Sequence, residues 1–260
     1  MKVVILCGGK GTRLREETEF RPKPMLPIGG RPILWHIMKI YASHGFTDFV
    51  LCLGYKGSVI KDYFRNYLWN TSDVTLRLGT HEREIFHNRQ EEEGWTVTLA
   101  ETGEDTLTAG RIAKIQKYLG DDEHFLLTYG DGVGNINVRD AFEHHLAGGK
   151  ILTMTTVHPP GRFGEVSLSP EGTVATFNEK PQTEEGWING GFFCASRRLF
   201  DYLDHSEDVL LEKQPMQKLA AEGELSAYRH AGFWQPMDTF QEFTRLNDLW
   251  ASGQAPWFKA

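Results

Sequence analysis

The stretch "LCGGKGTRLREETEFRPKPMLPIGGRPI", residues 6–33, decides how the chain is read. A short apolar run, Lys2 to Leu6, stops abruptly. Side chains are then absent at Gly8, Gly9 and Gly11, and Arg13, Arg15, Arg21 and Lys23 crowd beside the gap. In an open α/β sheet, ligands sit at the carboxyl ends of the strands. Glycines in the turn after the first strand let amide N–H groups approach an anion with no Cβ in the way. Pro22 and Pro24 set φ on either side of Lys23 and reduce the entropy of holding its ammonium in place. Gly8-Gly9 alone would mean no more than a tight turn before a solvated basic loop. With Arg13 and Lys23 beside them, they point to a bound anion close to bare main chain.

Working outward, strand and helix patterns alternate. "DFVLCLGY", "WTVTLAET" and "HFLLTYGDG" read as strands; "ILWHIMKIYASHG", "VIKDYFRNY" and "AGRIAKIQKYL" place apolar residues at helical intervals. Such alternation implies crossover units and parallel strands covered on both faces. After residue 150 the texture becomes strand-rich ("ILTMTTV", "GEVSLS", "TVATFNEK", "WINGGFFCA"), and helical "TFQEFTRLNDLWASG" follows near the end. The expected fold is α/β: a Rossmann-like mixed, mostly parallel sheet flanked by helices, with a small strand-rich C-terminal elaboration. One domain, 1–260, is expected, in two halves, 1–150 and 151–260. "THEREIFHNRQEEEGW", residues 80–95, is dense in charge and reads as a long surface loop, of the kind that serves as a lid or a subunit arm.

The bulk numbers exclude several classes. With 260 residues, a sizeable core is no difficulty, and 40% hydrophobic with 24% charged residues is ordinary for a globular protein. A net charge of −7 argues against general nucleic-acid or anionic-membrane binding, so any polyanion is held by a local pocket. Three widely spaced cysteines fit a reducing cytoplasm and carry no zinc signature. The apolar start is far too short for a signal peptide, and no stretch reaches transmembrane length. A soluble, cytoplasmic protein is expected.

Two phosphate cradles can be set against the opening stretch. Nothing matches GxxxxGK[ST]. "GKGTRL", Gly9 to Leu14, begins a GxGxxG fingerprint but puts Leu14 where the third glycine belongs, and prolines and cations occupy the region of the ribose-binding acid. A dinucleotide-dependent oxidoreductase is therefore disfavoured. A nucleoside triphosphate fits better, with the glycine backbone beside base and phosphates and with Arg13 and Lys23 neutralising charge.

These residues carry a resemblance. "LCGGKGTRL…RPKPMLPIGGRPIL" resembles the signature of the sugar-phosphate nucleotidyltransferases, and "TYGDG" (128–132), "FNEKP" (177–181) and "INGGFF" (188–193) continue it. "PILWHIMKIYASHGFTDFVLCLGYKG", "DTLTAGRI", "PPGRFG" and "GFWQPMDT" are similar to the cytidylyl branch of that family, with uncharged departures at Cys7 and Ala109. The resemblance implies a nucleotide-diphospho-sugar transferase type of sheet, with a nucleotide-binding first half and a sugar-phosphate-binding second half. It implies attack by α-D-glucose 1-phosphate on CTP with Mg²⁺, no nucleic-acid or membrane partner, and a homo-oligomer.

The resemblance also implies roles. Arg13 and Lys23 would be catalytic, screening the triphosphate. Leu6, Gly8, Gly9, Gly11, Thr12, Thr106, Arg111 and Gly130 would join them around the nucleotide. Glu179, Lys180, Asn189 and Gly190 would take the sugar phosphate, and Asp131 and Asp238 the metal. Each has a plainer reading. Arg111 could be a solvated residue early in a helix, Glu179-Lys180 an exposed ion pair and Gly190 a β-bulge glycine. Asp131 could be a turn residue, and Asp238 could cap the last helix. His144-His145 cannot put both rings on one helix face, and no histidine receives a role. The base is not fixed by the residue types, so UTP or dTTP remain alternatives. A catalytically silent nucleotide-sugar-binding module is a further alternative, disfavoured because Arg13, Lys23 and Asp131 are all present.

Overall fold

In a computed structural model, the described residues are 1–11, 14–79, 83–87, 94–159, 165–168, 174–178, 186–203 and 208–258. A seven-stranded sheet organises them, built in chain order from β1 (Lys2–Leu6), β2 (Asp48–Leu53), β3 (Thr96–Glu101), β4 (His124–Tyr129), β5 (Leu152–Val157), β6 (Ile188–Ser196) and β7 (Leu225–His230). Spatially the order is β7-β5-β6-β4-β1-β2-β3. All pairs are parallel except those made by β6, which runs against both β4 and β5.

β1, β2 and β4 are near-continuous apolar runs because both faces of the sheet are covered. Val3 and Ile5 turn to one core, Val4 and Leu6 to the other. Helix α1 (Ile33–Ser43) and the C-terminal α6 (Phe240–Ala251) border the first core, and α3 (Thr108–Ile115) the second; α2 (Gly57–Arg65), α4 (Val138–Gly148) and α5 (Gln214–Ala221) complete the helices that flank the sheet. Gly45 has φ +87°, a left-handed position after α1 that favours glycine and ends the helix.

The chain leaves β1 to lay down β2 and β3 on one side, then returns to place β4 on the other. Between β1 and β4 the direction of sheet growth reverses, and a crevice opens at their carboxyl ends.

Segment 80–95 is not wholly a loop. Arg83–His87 is a strand, antiparallel to Asp73–Arg77, with Thr75 opposite Ile85. Ile85 and Phe86 supply the β-propensity hidden by their charged neighbours, and Phe86 meets Trp69 edge-on at 5.5 Å. Residues 80–82 and 88–93 lie outside the described residues. Glu165–Leu168 and Val174–Asn178 pair as a separate hairpin, and α5 and β7 are elements that the sequence patterns did not single out.

Candidate active site

Lys23 starts a single 3₁₀ turn, Lys23–Met25, whose Pro24 and Met25 are buried. With its backbone so anchored, its side chain is only 12% exposed and its Nζ donates to Asp131 Oδ2 at 2.7 Å. The same Nζ donates to Asp238 Oδ1. The two carboxylates come from distant parts of the chain. Asp131 follows β4; beyond it Gly132–Gly134 pairs with Trp234–Pro236, and Met237 N–H donates to the Asp131 carbonyl at 2.8 Å. That short ladder delivers Asp238 to the same ammonium. Burial pushes the Lys23 pKa down, but the carboxylates of Asp131 and Asp238 together outweigh it and hold the ammonium above its ordinary value.

Asp238 is not the helix cap. Thr239 Oγ1 accepts from Glu242 N–H at 3.2 Å while Glu242 accepts from the N–H groups of Thr239 and Asp238, a complete capping box for α6.

A cavity of about 470 Å³ lies against this cluster, between the glycine turn and residues 104–111. Leu6, Gly8, Gly9, Gly11, Lys23, Thr106, Arg111, Gly130 and Asp131, singled out from separate stretches, all line it. A Cβ on Gly9 would meet nothing within 4 Å, so that backbone is open to an incoming group. Gly11 has φ +60°. Gly130 must be bare because a Cβ would fall 2.9 Å from the Leu6 carbonyl and 3.0 Å from Pro24 Cγ. Across the mouth, Lys10 reaches Asp105 at 2.6 Å.

Arg111 is not solvated. It is 4% exposed, and its guanidinium donates to the carbonyls of Leu53 (2.9 Å), Gly103 (2.7 Å), Gly8 (3.2 Å) and Glu104 (3.1 Å) and to Thr102 Oγ1 (2.8 Å). It binds the glycine turn to the opposite wall. Thr106 is buried too, accepting from Lys114 Nζ at 3.2 Å.

Asn189 and Gly190 stand at the start of β6. Asn189 Oδ1 accepts from Gly191 N–H at 2.8 Å, and Trp234 Nε1–H donates to the Gly190 carbonyl at 2.8 Å. The β5–β6 register shifts here, and a Cβ on Gly190 would sit 2.8 Å from Val157 Cγ1, so the bulge requirement alone accounts for this glycine. Thr12, Arg13, Glu179 and Lys180 lie outside the described residues.

Two groups in the site were not anticipated. Tyr129 lines the cavity and donates to Glu212, whose other carboxylate oxygen accepts from Thr108 Oγ1–H at 2.9 Å. Burial first, then the Glu212 carboxylate, raises the Tyr129 pKa, so the phenol keeps its proton. Tyr129 stands inside the quoted "TYGDG" and could have been noticed there; Glu212 has no local signal.

Asp131 and Asp238 offer hard oxygen donors that already converge on one cation, the Lys23 ammonium. Among the described residues no group of three or more His, Cys, Asp or Glu could hold a metal. The donor set therefore fits an ion that takes one or two carboxylates and completes its shell with phosphate and water, which is the habit of Mg²⁺.

Among the described residues no histidine lines the cavity: His36, on α1, is buried between the Ile28 carbonyl (2.9 Å) and Trp257 Nε1–H (3.3 Å). His145 pairs with His124 at 3.1 Å, not with His144. No helix among the described residues is long and apolar enough to cross a membrane.

A switch-point crevice with a glycine turn, a largely buried lysine and two carboxylates converging on it has the make-up of a phosphate-handling α/β enzyme site. A nucleotidyl transferase family model matches residues 2–251, and the chain belongs to that family. A glucose-1-phosphate cytidylyltransferase from Salmonella typhi is 49% identical over 257 residues, covering 99% of this chain and 98% of the relative. A probable glucose-1-phosphate cytidylyltransferase from Bacillus subtilis is 47% identical, covering 99% of each. A putative glucose-1-phosphate thymidylyltransferase from Bacillus anthracis, crystallised with sucrose, superposes with TM-score 0.70 at 18% identity, covering 100% of this chain and 97% of that one, a likeness of fold.

Proposed function

We propose that the chain transfers the cytidylyl group of CTP to α-D-glucose 1-phosphate, giving CDP-glucose and pyrophosphate. The observation that carries the reading is Lys23, whose ammonium joins Asp131 to Asp238 at the edge of the glycine cradle. The choice of CTP and glucose 1-phosphate rests on the relatives that are 47–49% identical over nearly the whole chain.

A phosphate oxygen of the sugar phosphate attacks the α-phosphorus in line, the P–O bond to the β-phosphate breaks, and pyrophosphate leaves. No protein nucleophile is needed, so catalysis is positioning and charge screening. Two like charges at 4 Å repel by about 1 kcal/mol in water and about 4 kcal/mol at an effective dielectric near 20. Lys23, with Arg13, offsets such terms as the anions approach. Gly9 and Gly11 give the nucleotide access to main chain, and Arg111 holds the turn that presents them. Asp131 and Asp238 would hold Mg²⁺, which when bound supplies Lewis-acid screening of the phosphates. On the C-terminal side, Asn189 and Gly190, with Glu179 and Lys180, form the sugar-phosphate half of the reading. A cytoplasmic homo-oligomer completes it; exposed Leu76, Leu78 and Ile85 on and beside the 73–87 hairpin support an association surface there.

The test is pyrophosphate release with glucose 1-phosphate against CTP, UTP, dTTP, ATP and GTP, with and without chelator. CTP is expected to lead and chelation to abolish turnover. Preference for another base refutes the cytidylyl assignment while leaving nucleotidyl transfer intact.

A further inference from the structure

Lys23 stands where a divalent ion held by Asp131 and Asp238 would have to bind. Its Nζ is within hydrogen-bond distance of both Asp131 and Asp238, and Lys23 and Asp131 line the cavity beside the glycine turn. A divalent ion entering between the same two carboxylates with the lysine in place would sit beside another cation, so ion and ammonium oppose one another. The backbone cannot retreat, because Pro22 and buried Pro24 and Met25 fix it. Only the side chain can move, and it needs a new anion to move to.

We propose that Lys23 is a resident counter-cation that keeps divalent metal off Asp131 and Asp238 until a nucleoside triphosphate draws the ammonium onto its phosphates, so that metal and nucleotide load together. The proposal rests on the reading of Asp131 and Asp238 as the metal carboxylates. Lys23 then does two jobs: it holds the carboxylates together before loading and screens phosphate afterwards. Because coupling between ligands is reciprocal, metal must raise nucleotide affinity by the factor by which nucleotide raises metal affinity.

The experiment is calorimetric titration of Mn²⁺ into the wild type, Lys23→Met and Lys23→Arg, each alone and with α,β-methylene-CTP, which cannot be cleaved at the reacting bond. Expected is weak binding of Mn²⁺ alone to wild type and Lys23→Arg, and at least roughly tenfold tighter binding to Lys23→Met, which has the same carboxylates and no ammonium. Unchanged or weaker binding of Mn²⁺ alone by Lys23→Met overturns the proposal but leaves the metal site standing if wild type binds Mn²⁺ with the analogue. If wild type with analogue does not bind Mn²⁺, or Asp131→Asn binds it equally well, the metal assignment falls and the proposal with it. Should Lys23→Met be too unstable to titrate, thermal melting decides. Mn²⁺ alone should raise its midpoint more than that of wild type, and an equal or smaller rise overturns the proposal.

Discussion

The guanidinium of Arg111 occupies the volume in which a side chain on Gly8 would have to lie: a Cβ built on Gly8 falls 2.1 Å from Arg111 Cζ. A flexible arginine could swing aside, but this one is pinned by the carbonyls of residues 8, 53, 103 and 104. Gly8 is thus bare because of the cation behind it, and the open approach for a ligand is at Gly9. Gly8→Ala is expected to cost about 1–3 kcal/mol of stability, as overpacking does, and to weaken CTP binding roughly tenfold by displacing the turn. Thermal melting and CTP titration check this. A variant with wild-type melting and affinity would show that Arg111 yields freely.

How much of this was legible follows from the range of each signal. β1, β2 and β4 are buried on both faces and so are continuous apolar runs; α1 and α6 have helical spacing and end signals. Lys23 stood out because charge between prolines is a local pattern, whereas Asp131 and Asp238 entered through the family resemblance. Their meeting at one ammonium was not readable, since it depends on the ladder between Gly132–Gly134 and Trp234–Pro236. The burial of Arg111, against the plainer reading of it as a solvated helix residue, was not readable because its partners are mostly main-chain carbonyls, which leave no residue-type signature. Glu212 was missed for a related reason: Thr108 and Tyr129 are its partners, and neither lies near it in sequence. In the 73–87 hairpin, charge masked short strands whose apolar residues remain partly exposed.

Acid should destabilise the fold through two buried histidines. Burial holds both His36 and His145 at about 4; for His145 the neighbouring His124 and His144 add to the effect. An unfolded histidine titrates near 6.5. Above that pH both states are neutral and the histidines contribute nothing to the pH dependence. As pH falls from about 6.5 to about 4, the unfolded chain binds protons that the folded one refuses, and stability drops by up to about 1.4 kcal/mol per pH unit per histidine. Denaturant unfolding at pH 7.5, 6 and 5 should show this slope, and His145→Gln should remove about half of the histidine contribution. An unchanged slope in the variant would mean that His145 already titrates normally in the folded state.

Glu212 ties the start of α3 to the end of β4. Its carboxylate accepts from Thr108 and Tyr129, and Thr108 Oγ1 in turn accepts from Leu211 N–H at 2.7 Å. Glu212→Ala leaves two partly buried hydroxyls without that acceptor and should cost about 1–3 kcal/mol. Tyr129 also packs against Gly191, beside Asn189. The variant should therefore raise KM for glucose 1-phosphate more than KM for CTP. Equal changes in the two constants would reduce Glu212 to a stabilising residue without bearing on the sugar side.

Asp238 and Thr239 are neighbours with separable tasks. Thr239 and Glu242 together close the capping box of α6, while the Asp238 carboxylate turns to Lys23. Thr239→Ala should cost about 1 kcal/mol of stability, the usual effect of losing a cap, and leave turnover intact. Asp238→Asn keeps the shape and the backbone contacts of the aspartate but removes its charge from the shared ammonium. It should melt close to wild type, yet lose a factor on the order of 10²–10³ in kcat, as loss of one preorganised electrostatic group does. Pyrophosphate release and thermal melting on the two variants give a crossed pattern if this division holds. If Asp238→Asn melts early and turns over normally, the aspartate serves the helix and the metal assignment at that position is wrong.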